Sequence, residues 1–327
     1  MKIYGPIFLG DEFFKGTIEI RDGIVENMWK GRKDYDIRAT IIPTFINMHT
    51  HIGDFYCQHE PKGKLEDIVG PGGLKYKILA NRNKVLRGMR RAMKYMEREG
   101  ISHFVDFREG SKEGIDLLLH ASENMKISPI IMGRVEDERL HGIGLSSISD
   151  YSWEYLRNMA NWAKKNNKLF AIHASERIRE DINRILSLNP DFLIHMLEAS
   201  DDDLRVLRDR NLPLVITPRS NLFFGKIPNI PKLVRYRILL ALGTDNGMFS
   251  LPSMFREMEL AYKISKLYGY VDPLEILKMT TVNPRKILKI EDNRIGKRAH
   301  LILFKRYMTP YEIVVKGHMG EIKKIIL

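Results

Sequence analysis

The chain has 327 residues, 44% of them hydrophobic and 29% charged, with a formal net charge of +12. That length accommodates one large domain with an appendage, and the composition is that of a globular enzyme rather than a disordered or fibrous chain. No apolar run nears the ~20 residues needed to span a bilayer, and the opening MKIYGPIFLGDEFFKG lacks the pattern of a signal peptide. A cytoplasmic location without membrane contact is therefore expected.

The single cysteine, Cys57, rules out an intrachain disulfide and a Cys-based zinc cluster, so any metal must be held by His and carboxylates. Basic residues are scattered among acidic ones with no aromatic-interleaved stretch, which argues against a nucleic-acid partner. One glutamine beside 53 Lys plus Arg fits the surface of a thermophile's protein.

In chain order, MKIYGPIF, GTIEIRDG and IVENMWKG alternate and turn like short strands separated by glycine-containing turns. From residue 41 the pattern changes to short apolar runs followed by helical stretches: IIPTFINMH, ISHFVDF, ISPIIMG, HGIGLSSI, KLFAIH, DFLIHM, PLVITP and LLALGTD. Eight such runs, separated by segments of helical period such as DYSWEYLRNMANWAKKNN, predict βα units around a parallel sheet, and eight is the number that closes a (β/α)8 TIM barrel. LILFKRYMTPYEIVVKG then returns to strand character. The expected architecture is a barrel over 41–296, with both chain ends, 1–40 and 297–327, joined in a small β-sandwich. The glycine-rich, basic insertion at 59–79 is either a lid contributing Lys75 or Lys77, or a surface loop.

In such a barrel, side chains at the C-terminal ends of strands face the active site. The first run ends in His49-Thr50-His51, and residues two apart on a strand point the same way. The fifth run ends in His173, the sixth at His195 and the eighth in Asp245. A lone strand-end histidine is more often a hydrogen-bonded core residue, but potential ligands at four mutually consistent strand ends predict a site. His49, His51, His173 and Asp245 form the expected ligand set for one divalent ion, zinc by ligand chemistry with iron or manganese as alternatives. Arg108 and Arg134 follow the second and third runs, and Arg219 and Asn221 lie in TPRSN; these four are the candidate substrate contacts. Guanidinium forks here would suit a substrate bearing an anionic group.

PTFINMHTHIGD resembles the PGFxNxHxH opening of the amidohydrolase superfamily, FAIHASE its HxxE segment, and TPRSN and LGTDN the CPxSN and GTD segments of its cytosine, guanine and adenosine-type deaminases. The closing TTVNPRKILKIEDNRIGKRAHLILF is similar to the family's tail; Thr44 in the opening departs from the glycine of PGF and His300 in the tail from the aspartate of ADL. Many relatives bridge two ions with a carboxylated lysine on the fourth strand; GIGLSSI has no such residue, which implies a mononuclear site. The resemblance further implies hydrolytic deamination of a nucleobase, nucleoside or related heterocycle by a metal-activated water. Asp245 would take the water's proton, Glu176 would shuttle it to the ring nitrogen and leaving group, and His195 would hydrogen-bond the attacking oxygen. Hydrolysis of another cyclic C–N or C–Cl bond is the alternative, followed by a catalytically silent scaffold. The expected partner is a small heterocyclic substrate, with a homo-oligomer left open.

Overall fold

The computed structural model describes residues 1–57, 59–70 and 72–327. Eight parallel strands carry the site: β1 (Phe45–His51), β2 (Ile101–Phe107), β3 (Ser128–Gly133), β4 (Gly142–Leu145), β5 (Leu169–Ala174), β6 (Phe192–His195), β7 (Leu214–Ile216) and β8. The last, β8, is Leu240–Leu242 continued beyond Gly243-Thr244 as Asp245–Asn246. Its first half pairs with β7 and its second with β1, Asp245 opposite Thr50, so the sheet returns to its starting strand in a TIM-barrel-like α/β fold. The break in β8 exists because Gly243 lies against β1. A Cβ there would stand 2.7 Å from the His49 nitrogen, which only glycine avoids.

Alternate residues of the strands, among them Ile46, Met48, Val105, Phe107, Ile130, Met132, Phe192 and Ile194, fill the barrel interior. The opposite set packs on the surrounding helices. The helix Arg82–Glu99 illustrates why those helices form: Val85, Met89, Ala92, Met93 and Met96 make one buried stripe at helical spacing. The Asn81 side chain accepts the Lys84 N–H at its start, and Gly100 at φ 81° ends it.

The chain ends build a separate seven-stranded sheet containing Lys2–Phe8, Phe13–Arg21, Ile24–Lys30, Thr40–Pro43, Leu301–Phe304 and Ile322–Ile326. Two boundaries differ from the sequence expectation. Residues 40–43 pair in this terminal sheet, antiparallel to 301–304, and the barrel strand begins only at Phe45. Thr44 is the crossing point, where Arg285 holds its carbonyl at 2.8 Å and its hydroxyl at 2.9 Å. The EIVVK stretch, expected as strand, is the helical segment Glu312–Lys316. Thr309 and Glu312 cap its start reciprocally, and Ile313 and Val314 are buried. Among the described residues, no helix is long and apolar enough to cross a membrane.

Candidate active site

The C-terminal strand ends converge on a cavity of about 430 Å³. Below it the inward residues of β1 are Ile46 and Met48, yet His49 and His51 also turn inward, because the β1–β2 register shifts between Asn47 and Thr50. Backbone conformation does the same work elsewhere: Ser175, His195 and Asp245 have φ of 46°, 75° and 60°. Such left-handed conformations cost of order 1–3 kcal/mol each in non-glycine residues and concentrate where side chains must be aimed.

Four of the expected groups meet. His49 Nε2 lies 3.2 Å from His173 Nε2 and 3.4 Å from Asp245 Oδ1, and His51 Nε2 lies 3.6 Å from the same oxygen. The ligand atoms of His49, His51 and Asp245, and those of His49, His173 and His195, each fall within 4.8 Å of one another. Nδ1 of His51 donates to the Phe107 carbonyl at 2.9 Å and Nδ1 of His173 to the Leu145 carbonyl at 2.7 Å. A carbonyl only accepts, so both rings present an Nε2 lone pair inward. Burial lowers the pKa of His49 and His51 and takes His173 well below the ordinary value, leaving neutral imidazoles. Burial works against the Asp245 carboxylate, but the adjacent imidazoles, His49 first, outweigh it and hold its pKa well below the usual range. Three imidazole nitrogens and a carboxylate oxygen thus converge, with His49 Nε2 3.2 Å from His173 Nε2 and 3.4 Å from Asp245 Oδ1, a donor set that fits a divalent ion.

Glu176 stands on the turn after β5. Lys226 Nζ donates to its carbonyl at 2.7 Å, while Ser175 N–H and Glu180 close the turn at 2.7 Å. Its carboxylate lines the cavity, 3.5 Å from His195 Nε2, outside both groups of ligand atoms. Desolvation, reinforced by Asp245, pushes its pKa up to about 8. His195, lowered to about 4 by burial, is neutral.

The four candidate substrate contacts separate. Arg134 lines the cavity 3.8 Å from Glu109, its Nε without a partner among the described residues. Arg108 does not reach the cavity: it is 2% exposed, and Asp106 at 3.0 Å and Glu109 at 2.9 Å occupy its fork. Arg219 likewise turns away, its guanidinium on the Leu251 carbonyl at 2.8 Å and its N–H on Glu257 at 2.9 Å. Asn221 faces His195 Nδ1 at 3.3 Å rather than the cavity. Arg108 is drawn off by two buried carboxylates and Arg219 by a backbone carbonyl, which position in sequence could not reveal.

Sequence reasoning passed over Glu109, Thr217 and Ser220. Glu109 is buried 2.7 Å from His51 Nδ1, and Lys75 of the helix Leu74–Leu79 pairs with it. Thr217 Oγ1 lies 3.2 Å from His195 Nδ1, and Ser220 Oγ donates to Asp245 Oδ2 at 2.6 Å. Lys75 is thus buried and Lys77 exposed, whereas Pro71 of the same insertion lies outside the described residues. The available signal was adjacency: Glu109 follows Arg108, and Thr217 and Ser220 sit in the TPRSN segment.

The amidohydrolase family model matches residues 40–320. An uncharacterized protein of Methanocaldococcus jannaschii is 33% identical, over 89% of this chain and 84% of its own. A 5-methylthioadenosine/S-adenosylhomocysteine deaminase of Pyrococcus furiosus is 27% identical, over 89% of this chain and 82% of its own. Guanine deaminase from C. acetobutylicum, solved with guanine bound, superimposes with a TM-score of 0.81 at 14% identity, covering 99% of this chain and 97% of that one.

Proposed function

The chain belongs to the amidohydrolase family, and from that premise we propose that it deaminates a nucleobase, nucleoside or related heterocycle through the groups at the barrel mouth. It is a metal-dependent hydrolase acting on non-peptide C–N bonds. The observation that carries the finer reading is the Glu176 carboxyl on the cavity wall, 3.5 Å from His195 Nε2 and outside the convergent ligand atoms of His49, His51, His173 and Asp245.

His49, His51, His173 and Asp245 would hold one ion, zinc by ligand chemistry; β4, Gly142–Leu145, offers no bridging side chain for a second. When bound, a divalent ion lowers the pKa of a water toward neutrality. Asp245 takes a proton from the attacking water. Glu176 gives its proton to the ring nitrogen; the proton that Asp245 took then goes to the departing amine, which leaves as ammonia, and Glu176 recovers a proton from the hydroxyl on the attacked carbon as the carbonyl forms. His195 donates from Nε2 to the attacking oxygen. Arg134 is the substrate contact: it lines the cavity, its nearest carboxylate, Glu109, is 3.8 Å away and already paired with Lys75 and Arg108, and its Nε has no partner among the described residues, which supports a role toward an anionic substituent. The terminal segments, 1–43 and 297–327, share one seven-stranded sheet, which supports reading them as a small accessory β-layer built from both chain ends.

The test is ammonia release by the zinc-loaded protein from a panel of aminopurines, aminopyrimidines and their nucleosides. Release from none of them overturns the deaminase reading.

A further inference from the structure

TPRSN occupies one turn after β7. Thr217 caps the short helix Pro218–Phe223, and its carbonyl accepts the Asn221 N–H at 3.0 Å. Residues 217, 220 and 221 share one face at i, i+3 and i+4. That face meets two groups delivered by other strands. Thr217 Oγ1 and Asn221 Nδ2 lie 3.2 and 3.3 Å from His195 Nδ1, at the end of β6. Ser220 Oγ donates to Asp245 Oδ2, in β8. From behind, Glu257 accepts the Arg219 N–H and the Arg219 guanidinium grips Leu251, so the turn is held on both sides.

We propose that this turn is a positioning element: Thr217 and Asn221 keep His195 a hydrogen-bond donor instead of a fourth nitrogen ligand, and Ser220 reserves Oδ1 of Asp245 for the ion. The inference rests on the metal-site reading above.

The distinction between the histidines is one of partner chemistry. His51 and His173 face carbonyls through Nδ1, which places the proton there and the lone pair on Nε2. With the Asn221 amide nitrogen as the contacting atom at 3.3 Å, and its Oδ1 without a partner among the described residues, Nδ1 of His195 accepts and Nε2 carries the hydrogen. His195 thus stays out of the coordination sphere although its ring nitrogen lies among the ligand atoms. On Asp245 the same turn sorts two equivalent oxygens. Oδ2 receives the Ser220 hydrogen at 2.6 Å, while Oδ1 faces His49 and His51 and is steadied by Asn246 Nδ2 at 2.9 Å. Partners of this kind, behind the ligands, fix ligand orientation and tautomer.

The test uses zinc-loaded, 15N-labelled full-length protein, with histidine protonation read from long-range 1H–15N correlations and His195 identified by its loss in His195→Gln. His195 is expected as the Nε2-protonated tautomer; Nδ1 protonation with a metal-bound Nε2 would overturn the proposal without any further variant. Asn221→Asp puts an acceptor against Nδ1 and should move a proton onto it, and an unchanged pattern removes Asn221 from the mechanism. Ser220→Ala should weaken zinc in chelator competition by about tenfold, and affinity within about twofold of wild type removes Ser220. Wild-type protein that binds no zinc would instead sink the metal-site reading, and this inference with it.

Discussion

Replacing Glu176 by Gln separates proton transfer from metal binding. The carboxyl is pushed up to about 8, because burial penalises its charge and Asp245 adds to that penalty. At pH 7 a group of that pKa is protonated about 10 to 1, whereas one at the ordinary carboxylate value would be ionised about 300 to 1. Glu176 is therefore stocked with the proton that a ring nitrogen must receive. Gln keeps the shape and the approach to His195 but has no acidic proton. The expected loss in kcat is about 10² or more, about 2.7 kcal/mol of transition-state stabilisation.

Ammonia release from a confirmed substrate measures this loss, with elemental analysis of the same preparation for the ion. Because protonated Glu176 is the active form, the free-enzyme profile of kcat/KM should fall as pH rises through the Glu176 pKa, which a bound cation lowers from the metal-free value of about 8, and the Gln variant should lose that limb. Near wild-type turnover in Glu176→Gln refutes the mechanism. Loss of the ion instead makes Glu176 a ligand and reverses the assignment of roles.

Protein purified with excess zinc and then desalted should retain about one equivalent per chain, since β4 brings no bridging side chain, and two tightly held equivalents by elemental analysis would contradict a mononuclear site. His173→Ala should strip the ion along with activity, because it removes one of the convergent Nε2 donors; full occupancy in that variant would mean that the fifth strand is not a ligand strand. Arg134→Ala should raise KM for an anionic substrate, while Arg108→Ala, which leaves buried Asp106 and Glu109 without their partner, should lower Tm. The reverse pattern would exchange their roles. Glu257, raised to about 8 by burial, is protonated in the folded state where the unfolded chain is ionised; its stabilisation is complete below about pH 4 and disappears as pH rises through about 8. Melting curves of metal-free protein should show Tm falling over that range, and falling less in Glu257→Gln; equal slopes would assign the pH dependence elsewhere.

Much of the site could be read from residue order, because a barrel strand that stops being apolar at its C-terminal end exposes that position to the mouth. That rule singled out His49, His51, His173, His195 and Asp245, and the structure gathers all five. The eight strands were legible for the same reason, because buried parallel strands are short apolar runs; a helix follows each of them except β3, which a short connection at 134–141 joins directly to β4 instead of the expected βα unit. What the sequence could not decide was which of two similar side chains faces the cavity. Arg108 and Arg134 each follow a strand, yet Arg108 is captured by Asp106 and Glu109 while Arg134 remains on the cavity wall. The strand break at Thr44 was equally hidden, since 40–43 and 45–51 are apolar alike and only their partners, the terminal sheet and β2, distinguish them. The division of labour among the histidines also belongs to the tertiary structure. Which ring nitrogen bears the proton depends on whether Nδ1 meets a carbonyl or an amide, and those groups come from Phe107, Leu145 and Asn221, each on a different strand or turn from the histidine it serves.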